Sequence, residues 1–310
     1  MNLNKEKTYE MWEREKGIIL KFEGLSEDRD VYNPAVLENS DGSLLLAARV
    51  ESRQNATDAR IMFFTESTLG TFRVVDRLPK FDGEDPDLVR IGDELILSMV
   101  QADWDKTDPT KLLGLRQIFY RGKSPEELQE FTKGPEGMKN IHLVGLSDGK
   151  IGVYTRPQNG EYGRGKICYK ILDSLDELNP ENIVGGCLLE DRFEEDEWEG
   201  VNAVYANISE NCECHGVLAH KASRDEDGAH YVATAFIYNP LTQKRSAVEQ
   251  IASRGDFPPG KSKRADLKNV VYPGGLVRLG DGTAMIYVGL NDVDVARRPI
   301  KDPFSAHVCP

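Results

Sequence analysis

Glu84-Asp85-Pro86-Asp87 sets three carboxyl groups within four residues. Their mutual repulsion favours the protonated form of at least one. A carboxyl that keeps its proton near neutral pH can serve as a general acid. The same four residues also suit an ordinary Asp-Pro turn that caps a strand. Arg156, His220 and Lys221 close apolar strands in an otherwise acidic chain. Gathered together they would hold a phosphate or a carboxylate; taken singly, each is a solvated strand end. Trp198-Glu199 follows the acidic run Glu194-Glu195-Asp196-Glu197 and places a ring face beside a carboxylate. That combination suits a sugar, which has an apolar face and a hydroxyl rim. The competing reading is a buried Trp anchoring an acidic loop.

Other motifs carry less. Gly255 to Ser262 fits the pattern G-x-x-x-x-G-K-S. A phosphate cradle is built from backbone N–H groups opening a helix, and Pro258 and Pro259 supply none. The five histidines show no metal-ligand spacing, and Cys212-Glu213-Cys214 lacks a second pair. No metal and no organic cofactor are expected. There is no nucleophile elbow and no dinucleotide fingerprint.

The elements that would position these groups are strands. Leu95 to Val100 and Ala284 to Val288 are apolar runs of strand length, and the helical signal is weak. Single turns are expected near Glu6 to Lys16 and Ser124 to Leu128. Five segments repeat one plan: polar residue, apolar strand, tight turn, apolar strand, polar residue. They run from Asn33 to Arg49, Asp85 to Gln101, Asn140 to Arg156, Asn202 to His220 and Tyr272 to Asn291. Their turns at 41, 92, 148, 211 and 281 lie 51 to 70 residues apart, room for a four-stranded antiparallel sheet each. One such sheet cannot bury both its faces; five around an axis can. The expectation is therefore an all-β, single five-bladed β-propeller spanning residues 1–310. A β-sandwich with similar hairpin spacing is the alternative. In a propeller the bracketing residues Asn33, Arg49, Asp85, Gln101, Arg156, Asn202, His220 and Asp292 converge at one mouth of the channel.

The chain has 310 residues, 39 basic against 52 acidic side chains, and a net charge of −13. That balance argues against nucleic-acid and anionic-membrane partners, and leaves room for a small basic pocket. No apolar run reaches 18 residues and no secretory h-region follows the charged start, so a cytoplasmic location is expected. The scattered cysteines, 168, 187, 212, 214 and 309, then read as reduced thiols.

Taken in order, Tyr32-Asn33-Pro34-Ala35 to Ala48-Arg49, Glu84-Asp85-Pro86, Tyr154-Thr155-Arg156-Pro157, Trp198-Glu199, Ala219-His220-Lys221, Val270 to Gly275 and Tyr287 to Asp292 resemble a known group of enzymes. They are similar to the five-bladed β-mannoside phosphorylases of glycoside hydrolase family 130. They resemble still more the family first described as domain of unknown function 1861, now placed with β-1,2-mannosyltransferases and β-1,2-mannan phosphorylases as glycosyltransferase family 108. The resemblance spans residues 18 to 298, and the shared order is its specific part. It implies Asp85 as general acid and Arg49, Asp85, Asn33 and Asp292 as sugar contacts; Gln101 and Asn202 from the repeat and Glu199 from the Trp-Glu pair are further candidate substrate contacts. It implies Arg156 and His220 as phosphate ligands. Asn202 stands where family 130 carries a lysine, and Lys221 where a glycine usually follows the His. Lys221 is expected to replace the missing cation.

An inverting hydrolase needs an acid and a base, whereas a phosphorylase needs one acid and cations to hold phosphate. The expected reaction is phosphorolysis of β-1,2-mannooligosaccharides to α-mannose 1-phosphate, with inorganic phosphate as co-substrate, or its reverse. The alternatives are an inverting glycosidase with Glu199 or Glu51 as base, transfer from a sugar nucleotide, and a non-catalytic carbohydrate-binding propeller. Partners are oligosaccharide and phosphate, with a homo-oligomer possible.

Overall fold

Leu44-Leu45-Leu46-Ala47-Ala48 is apolar without interruption because both faces of its strand are buried. Leu45 and Ala47 enter one core, and Leu46 and Ala48 enter the next. The same division recurs elsewhere. Leu95 and Leu97 face one neighbour and Ile96 the other; Val217 and Ala219 face one and Leu218 the other. Successive strand residues point to opposite sides, so each blade supplies two adjacent cores. The computed structural model describes residues 16–105, 107–108, 111–189, 196–206, 208, 213–305 and 310.

Five antiparallel sheets follow one another and form a five-bladed β-propeller. Blade 1 is built on Arg29–Glu38, Leu44–Ser52 and Asn55–Thr68, blade 2 on Glu84–Ile91, Glu94–Trp104 and Leu112–Gly122. Blade 3 has His142–Gly145, Ile151–Thr155 and Cys168–Leu172; blade 4 has Trp198–Tyr205, His215–Asp225 and Gly228–Asn239. Blade 5 has Val271–Arg278, Thr283–Leu290 and Asp294–Lys301. The first strands of neighbouring blades contact one another around the axis. Five apolar clusters fill the spaces between blades, the last joining blade 5 to blade 1.

Ring closure uses the beginning of the chain. Ile18–Ile19 adds an antiparallel strand to Asp294–Lys301 in blade 5. Lys21–Glu23 then runs parallel to Thr71–Val74 at the edge of blade 1. One short segment thus fastens the last blade to the first.

The five hairpins stand where the repeat places them. Four of the tight turns carry a glycine at positive φ: Gly42, Gly92, Gly149 and Gly282. The fourth turn, at Glu210-Asn211, lies outside the described residues. Pro125–Glu127 forms a single 3-10 turn as expected, and the turn expected near Glu6 lies outside the described residues. No helix among the described residues is long and apolar enough to cross a membrane. The thiol expectation needs one correction. Cys168 and Cys187 are free, but Cys214 is disulfide-bonded, to a partner outside the described residues. Pairing follows Cβ separation in the fold, which spacing along the chain does not give.

Candidate active site

Where the inner strands reach the channel mouth, their ladders break. Register shifts fall between Tyr32 and Ala35, Glu84 and Asp87, Val201 and Ala203, and Pro273 and Gly275. Asn33, Asp85 and Asn140 adopt positive φ of 46°, 47° and 59°. Asn and Asp tolerate this conformation better than other residues bearing a Cβ. A bulge re-aims a side chain that regular alternation would send into a blade. These irregularities bring Asn33, Asp85 and Asn140 of the first three blades to the mouth. Asp292, at φ 57°, reaches the mouth after the second strand of blade 5.

The mouth is a cavity of about 550 Å³, lined among others by Asn33, Arg49, Glu84, Asp85, Arg156, His220 and Asp292. Its acidic side is a network. Asn33 Nδ2 donates to Asp85 Oδ1 at 2.8 Å, and Arg49 Nη1 lies 3.1 Å from Glu84 and 3.6 Å from Asp85. Arg49 also pairs with the fully buried Glu51 at 2.8 Å, whose other oxygen pairs with Lys263. The carboxyls divide in acidity. Burial raises Glu84 and Asp292 above the usual carboxylate range, and the charge of Asp85 raises both further. Burial pushes Asp85 up as well, but Arg49, Lys139 and the hydrogen bond from Asn33 outweigh it and hold Asp85 low. Within the Glu84-Asp85-Pro86-Asp87 motif it is thus Glu84 that is raised, while Asp85 is held low.

The basic side is different in kind. Arg156 is 7% exposed, and its hydrogen bonds go to neutral oxygens. Nη1 donates to Asn140 Oδ1 at 2.7 Å and Nη2 to the Arg164 carbonyl at 3.2 Å, while Nε is buried without a partner. No carboxylate pairs with it among the described residues. A buried guanidinium without a counter-ion is costly, and an anion in the cavity would relieve that cost. His220 lies beside it, its Nδ1 bonded to Asn202 Oδ1 at 2.8 Å and its Nε2 buried and unpartnered. Burial, then Arg156 and Lys139, push the imidazole far below its ordinary pKa, so the ring is neutral. Two glycines make room: a Cβ at Gly165 would lie 2.4 Å from Arg156 Nε, and one at Gly200 2.5 Å from His220 Cε1.

Four expected residues stand elsewhere. Lys221 does not join Arg156 and His220. It follows His220 in a regular strand, so it points the other way and pairs with Glu197 at 2.8 Å. Glu199 is buried outside the cavity and held by Arg245 at 3.2 Å. Gln101 is exposed, because Val100 is the residue opposite Glu84, as Arg49 is opposite Tyr32. The count along the repeat was one residue too long, and that turns the side chain over. Asn202 sits behind His220 as its partner and does not line the cavity.

Other lining residues were not anticipated. Lys139 acts electrostatically on Glu84, Asp85 and His220. It immediately precedes Asn140, as Glu84 precedes Asp85, so the repeat held the signal. Tyr231 and Tyr272 flank His220 with centroids at 5.3 and 5.6 Å. Arg164 stacks on Trp198 at 4.1 Å, and Arg224 and Arg264 share Asp266 at the rim.

This propeller, with an acid–amide–guanidinium network facing an uncompensated guanidinium, has known relatives. The chain matches the family described as "Protein of unknown function (DUF1861)" over residues 5–306, and it belongs to that family. No curated protein matches its sequence. Among solved structures it is similar to MPT-1, a GDP-Man-dependent mannosyltransferase from Leishmania mexicana. The two share 29% identity with a TM-score of 0.85, over 99% of this chain and 96% of that one. It is also similar to MPT-4, a mannose phosphorylase from the same organism in complex with phosphate ion. Here identity is 31% and the TM-score 0.84, over 97% and 93% of the two chains. The β-1,2-mannobiose phosphorylase of Listeria innocua shares the fold, at 15% identity and a TM-score of 0.62 over 90% and 92%.

Proposed function

We propose that the protein is an inverting mannoside phosphorylase. It transfers a mannosyl group between an oligosaccharide and inorganic phosphate, with α-mannose 1-phosphate as product or donor. The observation that carries this is Arg156: a buried guanidinium held by neutral oxygens beside His220 and Lys139, across the cavity from Asp85. Its likeness to a phosphate-bound mannose phosphorylase at 31% identity supports the same reading. The β-1,2 linkage expected from the sequence resemblance defines the substrate to test first.

The chemistry follows from the two sides. Phosphate held at Arg156 attacks the anomeric carbon while the glycosidic C–O bond breaks. Asp85 delivers a proton to the departing oxygen, directly or through a sugar hydroxyl. The proton of hydrogenphosphate is released and Asp85 is reprotonated, so charge and protons balance. Asp85 is acidic while the site is empty, and a bound dianion changes that: it offsets the charge of Lys139 and Arg49 and favours the protonated acid. Asn33, Arg49 and Asp292 contact the sugar. Hydrolysis is disfavoured because Glu51 and Glu199, the two candidate bases, are each held in an ion pair.

A second reading is mannosyl transfer from GDP-mannose, favoured by the 29% identical relative and by Arg164, Arg224 and Arg264 at the rim. One assay separates the readings. The protein is incubated with β-1,2-mannobiose and phosphate, with β-1,2-mannobiose alone, and with GDP-mannose plus mannose. Mannose 1-phosphate appearing only in the first mixture is the expected result. Phosphate-independent mannose release indicates hydrolysis, and elongation from GDP-mannose indicates the transferase. Turnover in none of them overturns the mannoside reading.

A further inference from the structure

We propose that the inner anion site selects oxyanions that still carry a proton, phosphate and arsenate over sulfate, because His220 presents an unprotonated Nε2 that accepts a hydrogen bond from the anion's own hydroxyl. The inference rests on the phosphate-binding reading and specifies its chemistry at one atom. Asn202 Oδ1 accepts at 2.8 Å from Nδ1, and an amide oxygen has no proton to give. The ring proton is therefore on Nδ1, and in a neutral imidazole that leaves a lone pair on Nε2. Nε2 is buried and unpartnered in a residue that is 1% exposed and lines the cavity.

The surroundings keep the ring neutral. Arg156, Lys139 and His142 act on it from blade 3 and its approach, and the rings of Tyr231 and Tyr272 flank it. No carboxylate hydrogen-bonds to either ring nitrogen among the described residues, so a second ring proton has no counter-ion. Gly200 leaves open the space beside Nε2, where a Cβ would approach to 3.0 Å. Hydrogenphosphate and hydrogenarsenate bring one O–H to this atom and present bare oxygens to Arg156. Sulfate is fully deprotonated at neutral pH and would set lone pair against lone pair in a buried site.

Calorimetric titration of the full chain with phosphate, arsenate and sulfate at pH 7.5 tests this. Sulfate is expected to bind at least about 100-fold more weakly than the other two, as when a site built around one substrate hydroxyl meets an analogue lacking it. Asn202→Asp places a carboxylate on Nδ1, favours the imidazolium and turns Nε2 into a donor. Sulfate affinity should then rise at least about tenfold. Sulfate matching phosphate within about threefold on the unmodified protein shows that Nε2 donates, and overturns the inference while leaving phosphorolysis intact. Unchanged rejection of sulfate in an Asn202→Asp protein of normal melting temperature overturns the tautomer. Failure of phosphate itself to bind removes this inference and the phosphorylase reading together.

Discussion

Asp85 takes a left-handed backbone conformation, accepts from Asn33 and faces Arg49. Asn in its place keeps the shape and loses the transferable proton. Asp85→Asn should lower kcat by about 10²–10⁴. The loss should be smaller on an activated aryl mannoside, whose leaving group needs little protonation; equal losses on both would make Asp85 a positioning residue. Arg156→Ala removes charge-assisted contacts of about 1.5–3 kcal/mol and should raise the phosphate KM roughly ten- to a hundredfold. A fall in sugar affinity with an unchanged phosphate KM would displace the anion site. Asn33, Asp85, Arg156 and His220 were legible in the sequence because the repeat marks the strand ends that meet at the axis. Lys221 and Gln101 were misread because strand periodicity is two and an error of one residue inverts a side chain. Arg164 and Tyr231 were missed because they stand off the bracketing positions, where one repeat does not predict another.

At the scale of the element, the bulges and close approaches of the inner strands decide the geometry. Gly274 is the tightest: a Cβ there would lie 1.9 Å from the Pro34 carbonyl oxygen, blade 5 against blade 1. Gly274→Ala should cost about 3 kcal/mol or more, read as a fall in the urea midpoint, since backbone cannot yield as a flexible side chain does. A result near zero would mean that the two inner strands are not in contact. The second strand of blade 4 begins at His215, packed among Tyr154, Tyr169 and Tyr238 and bonded to Tyr154. Burial lowers its pKa to about 4. The unfolded chain takes up this proton near pH 6.5 and the folded one refuses it until about 4. The contribution is therefore whole above pH 6.5 and is lost as pH falls toward 4. Between pH 7 and 5 it should remove about 2 kcal/mol of stability. Comparing the unmodified protein with His215→Gln isolates this loss from other groups, and identical pH slopes would show that His215 does not titrate in this way.

For the whole molecule, five equivalent cores leave the N-terminal staple as the element that closes the circle. Deleting residues 1–23 removes the outer partner of Asp294–Lys301 at Ala296 and Arg297 and takes Leu20 and Phe22 from the core between blades 5 and 1. Each large apolar side chain contributes about 1.5–3 kcal/mol. The truncated chain should melt roughly 10 °C lower with its β-sheet circular dichroism largely retained; an unchanged melting temperature would show that the ring closes without it. The staple also bears on how the protein is made. Ile18–Ile19 is translated well before its partner in blade 5, Ala296-Arg297. Lys21–Glu23 can pair with Thr71–Val74 once blade 1 is made, but Ile18–Ile19 stays without its mate until blade 5 is complete. Unpaired edges of this kind are where nascent chains associate wrongly. Chains stalled before residue 294 should therefore be the species that chaperones hold, and release should follow completion of the fifth blade.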